Sequence, residues 1–366
     1  MRDESILDDP ERVQAADPEG MLRALASAGP QVRRTVLAAE EAGVAALAAD
    51  GTPRSVVVLG TGVAALAAEA LVAIAGAEAT APIVLYRSAD LPRWVGAADM
   101  VIGLSPSGAG AEALGAASGA VNRGARVVGV GADRSPLAAV VGGARSPYVP
   151  IAEWRWRRTT FWPLLTGLLS LVAAVGVIDL SGEGLQEAAE RLDDEAVRCR
   201  PDSEPGVNPA KSLALQLLDA VPVVWAGTAL AAVAAHRFCE SLAGMAGAAA
   251  PYWLLDGSPQ AMGLFGGPLA GIREEADIFA DRVDEPEPRR THPVLVRDSG
   301  HHPTLDQALE QADYYRLAVT EVAPDDGPPL SRLAQLIGQL DLTAAYLAIA
   351  DGLDPSRETT DGARPV

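Results

Sequence analysis

The sequence predicts an α/β protein made of two tandem, doubly wound parallel-sheet domains. Three observations carry this expectation. Apolar, β-branched runs alternate with Ala- and Leu-rich helical stretches along most of the chain, which is the pattern of repeated βα units. The runs are near-continuous rather than alternating, as in strands buried on both faces. Two of them, Ser55-Val-Val-Val-Leu-Gly-Thr-Gly62 and Asp99-Met-Val-Ile-Gly-Leu-Ser-Pro-Ser-Gly108, end in small-residue turns that open a helix. In a parallel sheet such turns lie at the carboxyl ends of the strands, where ligands bind.

Taken in order, residues 20–49 read as a helical region broken near Gly29-Pro30. Strands are expected at 55–59, 83–87, 99–104 and 126–130, with helices at 63–76 and 109–122 and a short extended piece at 147–151 closing the unit. Residues 161–178 are uncharged and just long enough to raise a membrane span. Pro163, Thr166, Gly167 and Ser170 dilute the run, so a buried core helix is expected and no membrane partner. An acidic helix at 183–198 leads to Arg200-Pro-Asp-Ser-Glu-Pro-Gly206, a polar, Pro-rich break. This break divides the chain into an N-terminal domain with leading helices (1–199), a C-terminal domain (207–352) and a tail (353–366). The second domain reads as helix 208–218, strand 221–226, helix 229–247, strands 252–255 and 293–297, helix 304–315, strand 317–322 and helix 329–350, with Asp284-Glu-Pro-Glu-Pro-Arg289 as a surface loop.

Composition narrows the function. A net charge of −19 disfavours a nucleic-acid partner, because phosphate backbones need a basic surface. The one basic cluster is Arg155-Trp-Arg-Arg158, and packing of that loop explains Trp154 and Trp156. Two cysteines, Cys199 and Cys239, are too few for a disulfide framework, which points to reduced thiols and a cytoplasmic location. The acidic start MRDESILDDPERV has no apolar core and does not read as a signal peptide. Lys211 is the single lysine.

Gly60-Thr-Gly62 lacks the third glycine of a dinucleotide fingerprint, Ala65 standing there, and the next strand ends in Tyr86-Arg87 rather than an acid. No cofactor is expected, and alone the motif reads as a tight turn. Paired with Ser105-Pro-Ser-Gly108 it reads as a phosphate cradle: glycine admits close backbone approach and serine hydroxyls donate to phosphate oxygens. The plainer alternative for the serines is a helix cap. A small-molecule sugar phosphate is the ligand that fits. Glu240 reads either as a general base or as part of a solvated helix face, and His236 as structural. His292, His301 and His302 have no carboxylate or cysteine at ligand spacing in the sequence, so a surface loop and no metal site are expected.

The Ser-x-Ser-Gly turn after an apolar strand resembles the signature of the sugar isomerase (SIS) domain. With Asp17-Pro-Glu-Gly-Met21, Arg158-Thr-Thr-Phe161, Asn208-Pro-Ala-Lys-Ser-Leu-Ala214, Val221-Pro-Val-Val-Trp-Ala-Gly227, Arg237-Phe-Cys-Glu240, Val294-Leu-Val-Arg-Asp298, Asp341-Leu-Thr-Ala-Ala-Tyr346 and Gly352-Leu-Asp-Pro355, the chain resembles the bifunctional phosphoglucose/phosphomannose isomerases, a double-SIS family. The resemblance implies two SIS-like domains, a homodimer, and metal-free aldose–ketose isomerisation of glucose 6-phosphate or mannose 6-phosphate to fructose 6-phosphate through an enediolate. It implies Glu240 as the base, Arg158 as the enediolate stabiliser, and Gly60, Gly62, Ser105 and Ser107 as the phosphate cradle.

The sequence departs from the family at several places. Ala64 stands for a serine, and Ala109, Gly110 and Ala111 for Asn, Thr and Glu. Leu255-Asp-Gly-Ser-Pro259 holds no histidine where the family's catalytic one follows. The C-terminal lysine is absent, Arg364 being the nearest cation. The alternative is a non-catalytic sugar-phosphate-binding regulator or a partner-binding protein.

Overall fold

The computed structural model describes residues 3–255, 263, 290–315 and 317–357. The loop expected at 284–289, the segment beyond Leu255 and the residues from 358 onward lie outside the described residues. The chain forms two compact units, each with its own parallel sheet.

The chain opens with α1 (Pro10–Ala16) and α2 (Met21–Ala26). Next, α3 (Ala28–Glu41) runs through Gly29-Pro30, where a break was expected, and the break falls at Ser27 instead. Pro30 sits in the first turn, where no intrahelical N–H is lost.

The first sheet comprises β1 (Val56–Leu59), β2 (Ile83–Tyr86), β3 (Met100–Ser105), β4 (Arg126–Ala132) and β5 (Tyr148–Ile151), all parallel in the order β2-β1-β3-β4-β5. Helices α4 (Val63–Ala75), α5 (Ala111–Asn122) and α6 (Pro136–Gly143) make the crossovers. α6 was not expected. Then α7 (Phe161–Ala174) is buried as the core helix that was expected, packing against α3 and α4, and α8 (Gly182–Arg198) follows. One core layer sets Val57, Leu59, Val101 and Val127 against Ala113, Ala116, Leu137 and Val141.

At the amino end of β3, buried Asp99 accepts from Arg54 Nε and Nη2 at 2.9 and 2.6 Å, Ser55 Oγ at 2.8 Å and Gly96 N–H at 2.9 Å. Burial works to raise its pKa, but these bonds, Arg54's first, outweigh it and hold the carboxyl below the usual value. A depressed carboxylate stabilises the fold above the unfolded value of about 3.9 and loses that contribution as pH falls through the folded value. Asp99→Asn is therefore expected to flatten the acid limb of stability against pH, measured by urea unfolding between about pH 5 and 2. An unchanged slope would show that Asp99 carries none of it.

The second sheet holds β6 (Ala220–Ala226), β7 (Tyr252–Leu254), β8 (Arg290–Val296) and β9 (Thr320–Val322), parallel in the order β7-β6-β8-β9. Its helices are α9 (Pro209–Leu217), α10 (Ala229–Ser241), α11 (Pro303–Tyr314) and α12 (Pro329–Ala350). α12 is long and apolar enough to cross a membrane, yet 94% of its apolar window is buried within the fold, as in a core helix. β8 begins earlier than expected because pairing with β6 extends to Ala220↔Arg290.

Residues 200–206, expected as a boundary, are fastened instead. Lys211 Nζ donates to the carbonyls of Leu7, Pro201 and Ser203 at 2.6, 2.7 and 2.9 Å, and Asn208 Nδ2 donates to Arg200 O at 3.1 Å. The division into units falls at Asp193/Asp194 inside α8, and the leading residues through Ala26 group with the second sheet rather than with the first. The Lys211 bond to Leu7 and an Asp3 N–H to Ala350 O bond at 3.0 Å supply the physical reason.

Candidate functional site

In the first sheet β1 has β2 on one side and β3 on the other, so the chain leaves β1 and β3 in opposite directions and a crevice opens at their carboxyl ends. Both small-residue turns lie there. Gly60 is buried in the first of them, and a Cβ on it would stand 2.8 Å from Ala64 Cβ and 3.2 Å from Leu104 O, so only glycine lets the turns approach this closely. Gly62 takes φ +54°, a conformation that favours glycine, and precedes α4 without a side-chain cap.

The second turn is rigid. Ser105 Oγ, buried, accepts from Gly110 N–H at 3.3 Å, and Gly108 N–H donates to Ser105 O at 3.0 Å. Pro106 O accepts from Ala132 N–H and from Trp154 Nε1, each at 3.1 Å. Gly108 O accepts from Leu137 N–H at 2.9 Å. Gly108 has φ +61°, and a Cβ there would overlap Ser135 Oγ. Ser135 in turn pairs with Tyr148 OH at 3.1 Å, and burial pushes the Tyr148 phenol up to about 12. Ser107 stays exposed at the crest, its Oγ accepting from Ala109 N–H at 3.3 Å. Gly110 is the N-cap residue of α5, again with no side-chain cap. Two helix N-termini with uncapped first turns, the Ser107 hydroxyl and the exposed Thr61 hydroxyl thus meet at one strand end, a setting suited to an anion. Ala64 is buried, and Ala109 and Ala111 are exposed without hydroxyls.

The remaining expected residues are placed as follows. Arg158 is half-buried in the 3-10 turn Arg157–Thr160 leading into α7, within the first-sheet unit. Glu240 is in the last turn of α10, in the second-sheet unit. It is 41% exposed, but it is not simply a solvated charge: its Oε1 lies 3.7 Å from His236 Nε2, one turn back. The His236 ring stacks on Tyr252 at 5.1 Å and 17°. Burial, then the Glu240 charge, pushes the neighbouring Cys239 thiol up to about 12, so it stays protonated and is no nucleophile.

The second sheet has its own switch point between β6 and β8, and side chains fill it. A Cβ on Gly227 would stand 2.7 Å from Leu305 Cδ1 and 3.0 Å from His302 Cγ. Beside it His301 Nδ1 lies 2.6 Å from Asp306 Oδ2, the carboxylate not seen at ligand spacing in the sequence. Asp306 Oδ1 also accepts from Arg297 Nη2 at 2.9 Å, and Arg297 Nε donates to Glu321 Oε1 at 3.0 Å. Among the described residues no group of three His, Cys, Asp or Glu is placed to hold a metal ion.

The fold defines the class: two doubly wound parallel-sheet units, the first with a glycine turn and a serine turn abutting at its switch point. Residues 206–360 match the family described as the bacterial phosphoglucose isomerase C-terminal SIS domain. That stretch of the chain is thus similar to a SIS domain of the phosphoglucose isomerase kind. Solved structures share the fold along nearly the whole chain. A glucose-6-phosphate isomerase-like protein from Thermus thermophilus is 22% identical with a TM-score of 0.58, covering 97% of this chain and 95% of that one. A hypothetical protein from the same organism is 14% identical with a TM-score of 0.69, covering 95% and 90%. The C-terminal domain of glucosamine-fructose-6-phosphate aminotransferase from Francisella tularensis is 14% identical with a TM-score of 0.59, covering 92% and 97%. No curated protein sequence matches the chain.

Proposed function

We propose that the protein binds a hexose 6-phosphate in the β1/β3 crevice and interconverts glucose 6-phosphate or mannose 6-phosphate with fructose 6-phosphate. The observation that carries this is the pair of rigid, small-residue turns abutting at the first switch point with Ser105, Ser107 and Thr61. Backbone N–H groups of the two turns and the Ser107 hydroxyl take the phosphate. In this reading, carried over from the family resemblance, Glu240 is the base that moves the aldose C2 proton to C1 while the O2 proton passes to O1, and the always-charged Arg158 guanidinium offsets the enediolate's negative charge. The family match and the T. thermophilus relative support the substrate class. A homodimer in a reducing cytoplasm belongs to the same proposal, consistent with two unpaired cysteines.

A second reading, binding without turnover, is favoured by one feature. Ala64 and Gly110 offer no hydroxyl to the ligand, and each hydrogen bond to a charged group is worth about 1.5–3 kcal/mol.

Thermal melting with a panel of sugar phosphates tests the site before any assay is chosen, since a ligand of the folded state raises the midpoint. A hexose 6-phosphate is expected to raise it, and Ser107→Ala to weaken that affinity by about tenfold, or roughly 1.4 kcal/mol. Glu240→Gln should keep the shift while turnover falls by about 10²–10⁴. A shift without turnover in the unmodified protein selects the second reading. No shift at millimolar ligand sinks both.

A further inference from the structure

The loop after β4 contains a cation that neither the sequence motifs nor the family resemblance assigns. Ala132 N–H is bonded to Pro106 O at 3.1 Å and Leu137 N–H to Gly108 O at 2.9 Å. The segment 133–136 is therefore held between two bonds to the very turn whose crest is Ser107. Arg134 stands in that segment, with its side chain 93% exposed. Its ion contact is with the adjacent Asp133, at 3.6 Å from Nε to Oδ2.

Arg134 is also strained. Its φ is +51°, in the left-handed region that non-glycine residues seldom occupy. Among the described residues only Arg145 shares this, and Arg145 follows the last turn of α6 with its N–H donated to Gly142 O, an ordinary way to end a helix. No helix ends before Arg134. Its N–H is held instead by Asp133 Oδ1 at 2.9 Å, so Asp133 fixes the unusual turn. Strain of this kind persists where the surrounding structure imposes it, often beside ligand sites.

We propose that Arg134 is a specificity-determining residue of the β1/β3 crevice, supplying the guanidinium that pairs with the phosphate of the sugar ligand. This rests on the reading of the crevice as a sugar-phosphate site. It answers a problem that site poses: hydroxyls are missing at 64 and 110, and the chain carries a net charge of −19. A planar guanidinium can give a phosphate two parallel charge-assisted bonds. Asp133 Oδ2 is the carboxylate beside Arg134, and the phosphate takes its place.

The test is calorimetric titration of the full chain with glucose 6-phosphate and with inorganic phosphate. Arg134→Ala is expected to weaken glucose 6-phosphate by about tenfold or more, and Arg134→Lys to recover part of the loss. Asp133→Asn keeps the Oδ1 acceptor and removes the competing charge, so it should tighten binding. Arg134→Gly should raise the melting midpoint of the unliganded protein by releasing the strained φ, while the ligand-dependent shift falls. These opposite signs are not produced by a side chain that only props up the loop. If Arg134→Ala binds as tightly as the unmodified protein while Ser107→Ala does not, the proposal is overturned and the crevice reading stands. If the unmodified protein binds neither ligand, both are overturned.

Discussion

Asp341→Ala is expected to destabilise the second-sheet unit by about 3–5 kcal/mol, the cost of stripping a buried charge of its counterion. Asp341 accepts from Arg237 Nε at 3.0 and 3.2 Å, from Arg237 Nη2 at 3.0 Å and from Ser241 Oγ at 2.6 Å. Both side chains of the ion pair are nearly inaccessible, at 4% and 7%. The carboxylate ties α12 to α10 across 104 residues of sequence. Removing it leaves the guanidinium buried, whereas removing both partners need not. The double variant Arg237→Met/Asp341→Leu should therefore recover most of the loss. Urea unfolding of the single and double variants checks this, and a single-variant loss under about 1 kcal/mol would sink the assignment. The pair also bears on chemistry. Arg237 and Ser241 flank Glu240 on α10, so Asp341 sets the rotation of the helix that presents the proposed base. A well-folded double variant with lowered turnover but unchanged sugar-phosphate binding is the outcome expected if that orientation matters.

The fold was legible where burial alone decides the residue type. β1, β3 and the central parts of β4, β6 and β8 are rich in Val, Ile and Leu and fully buried, as a parallel sheet covered on both faces requires. The elements that escaped are those decided by caps and pairing. α6 is short and apolar, and only Ser135-Pro136, a cap followed by proline in the first helical position, announces it. Gly29-Pro30 looked like a break because proline's local cost was counted without its position in the helix. Likewise, composition marks 200–206 as a linker, and the three carbonyls bound by Lys211 cannot be read from composition at all.

The meeting of the two turns was legible to the same degree. A glycine turn and a serine turn are local patterns, and their convergence follows from strand order at a switch point. Trp154 was not, because its Nε1 meets Pro106 O only through the pairing of β4 with β3 on one side and β5 on the other. The pairing of His236 with Glu240 could have been read, since residues four apart share a helix face. The closeness of His301 to Asp306 could not, because it depends on how the loop after β8 enters α11.

Lys211→Met is expected to cost about 2–4 kcal/mol, and the reason explains why this chain has a lysine at all. Of its 29 basic residues, Lys211 alone is not arginine. It is 1% exposed, its Nζ meets three carbonyl oxygens, and the Tyr346 ring lies 5.6 Å away. An ammonium has three donors splayed from one atom, whereas a guanidinium spreads five over a plane too wide for this cage. Burial lowers the Lys211 pKa, with Asp8 and Asp202 opposing the shift. The charge therefore depends on all three acceptors being present. Methionine removes the charge and its desolvation cost but orphans three carbonyls, at about 1–3 kcal/mol each before relaxation. Lys211→Arg should be no better than methionine. The same geometry gives a readout needing no mutation. In the folded protein an amine-reactive reagent should spare Lys211, its adduct appearing only as the segment around Leu7 and 201–203 opens. Modification of Lys211 in the native state at the rate of a free peptide lysine would mean that the cage is not closed in solution.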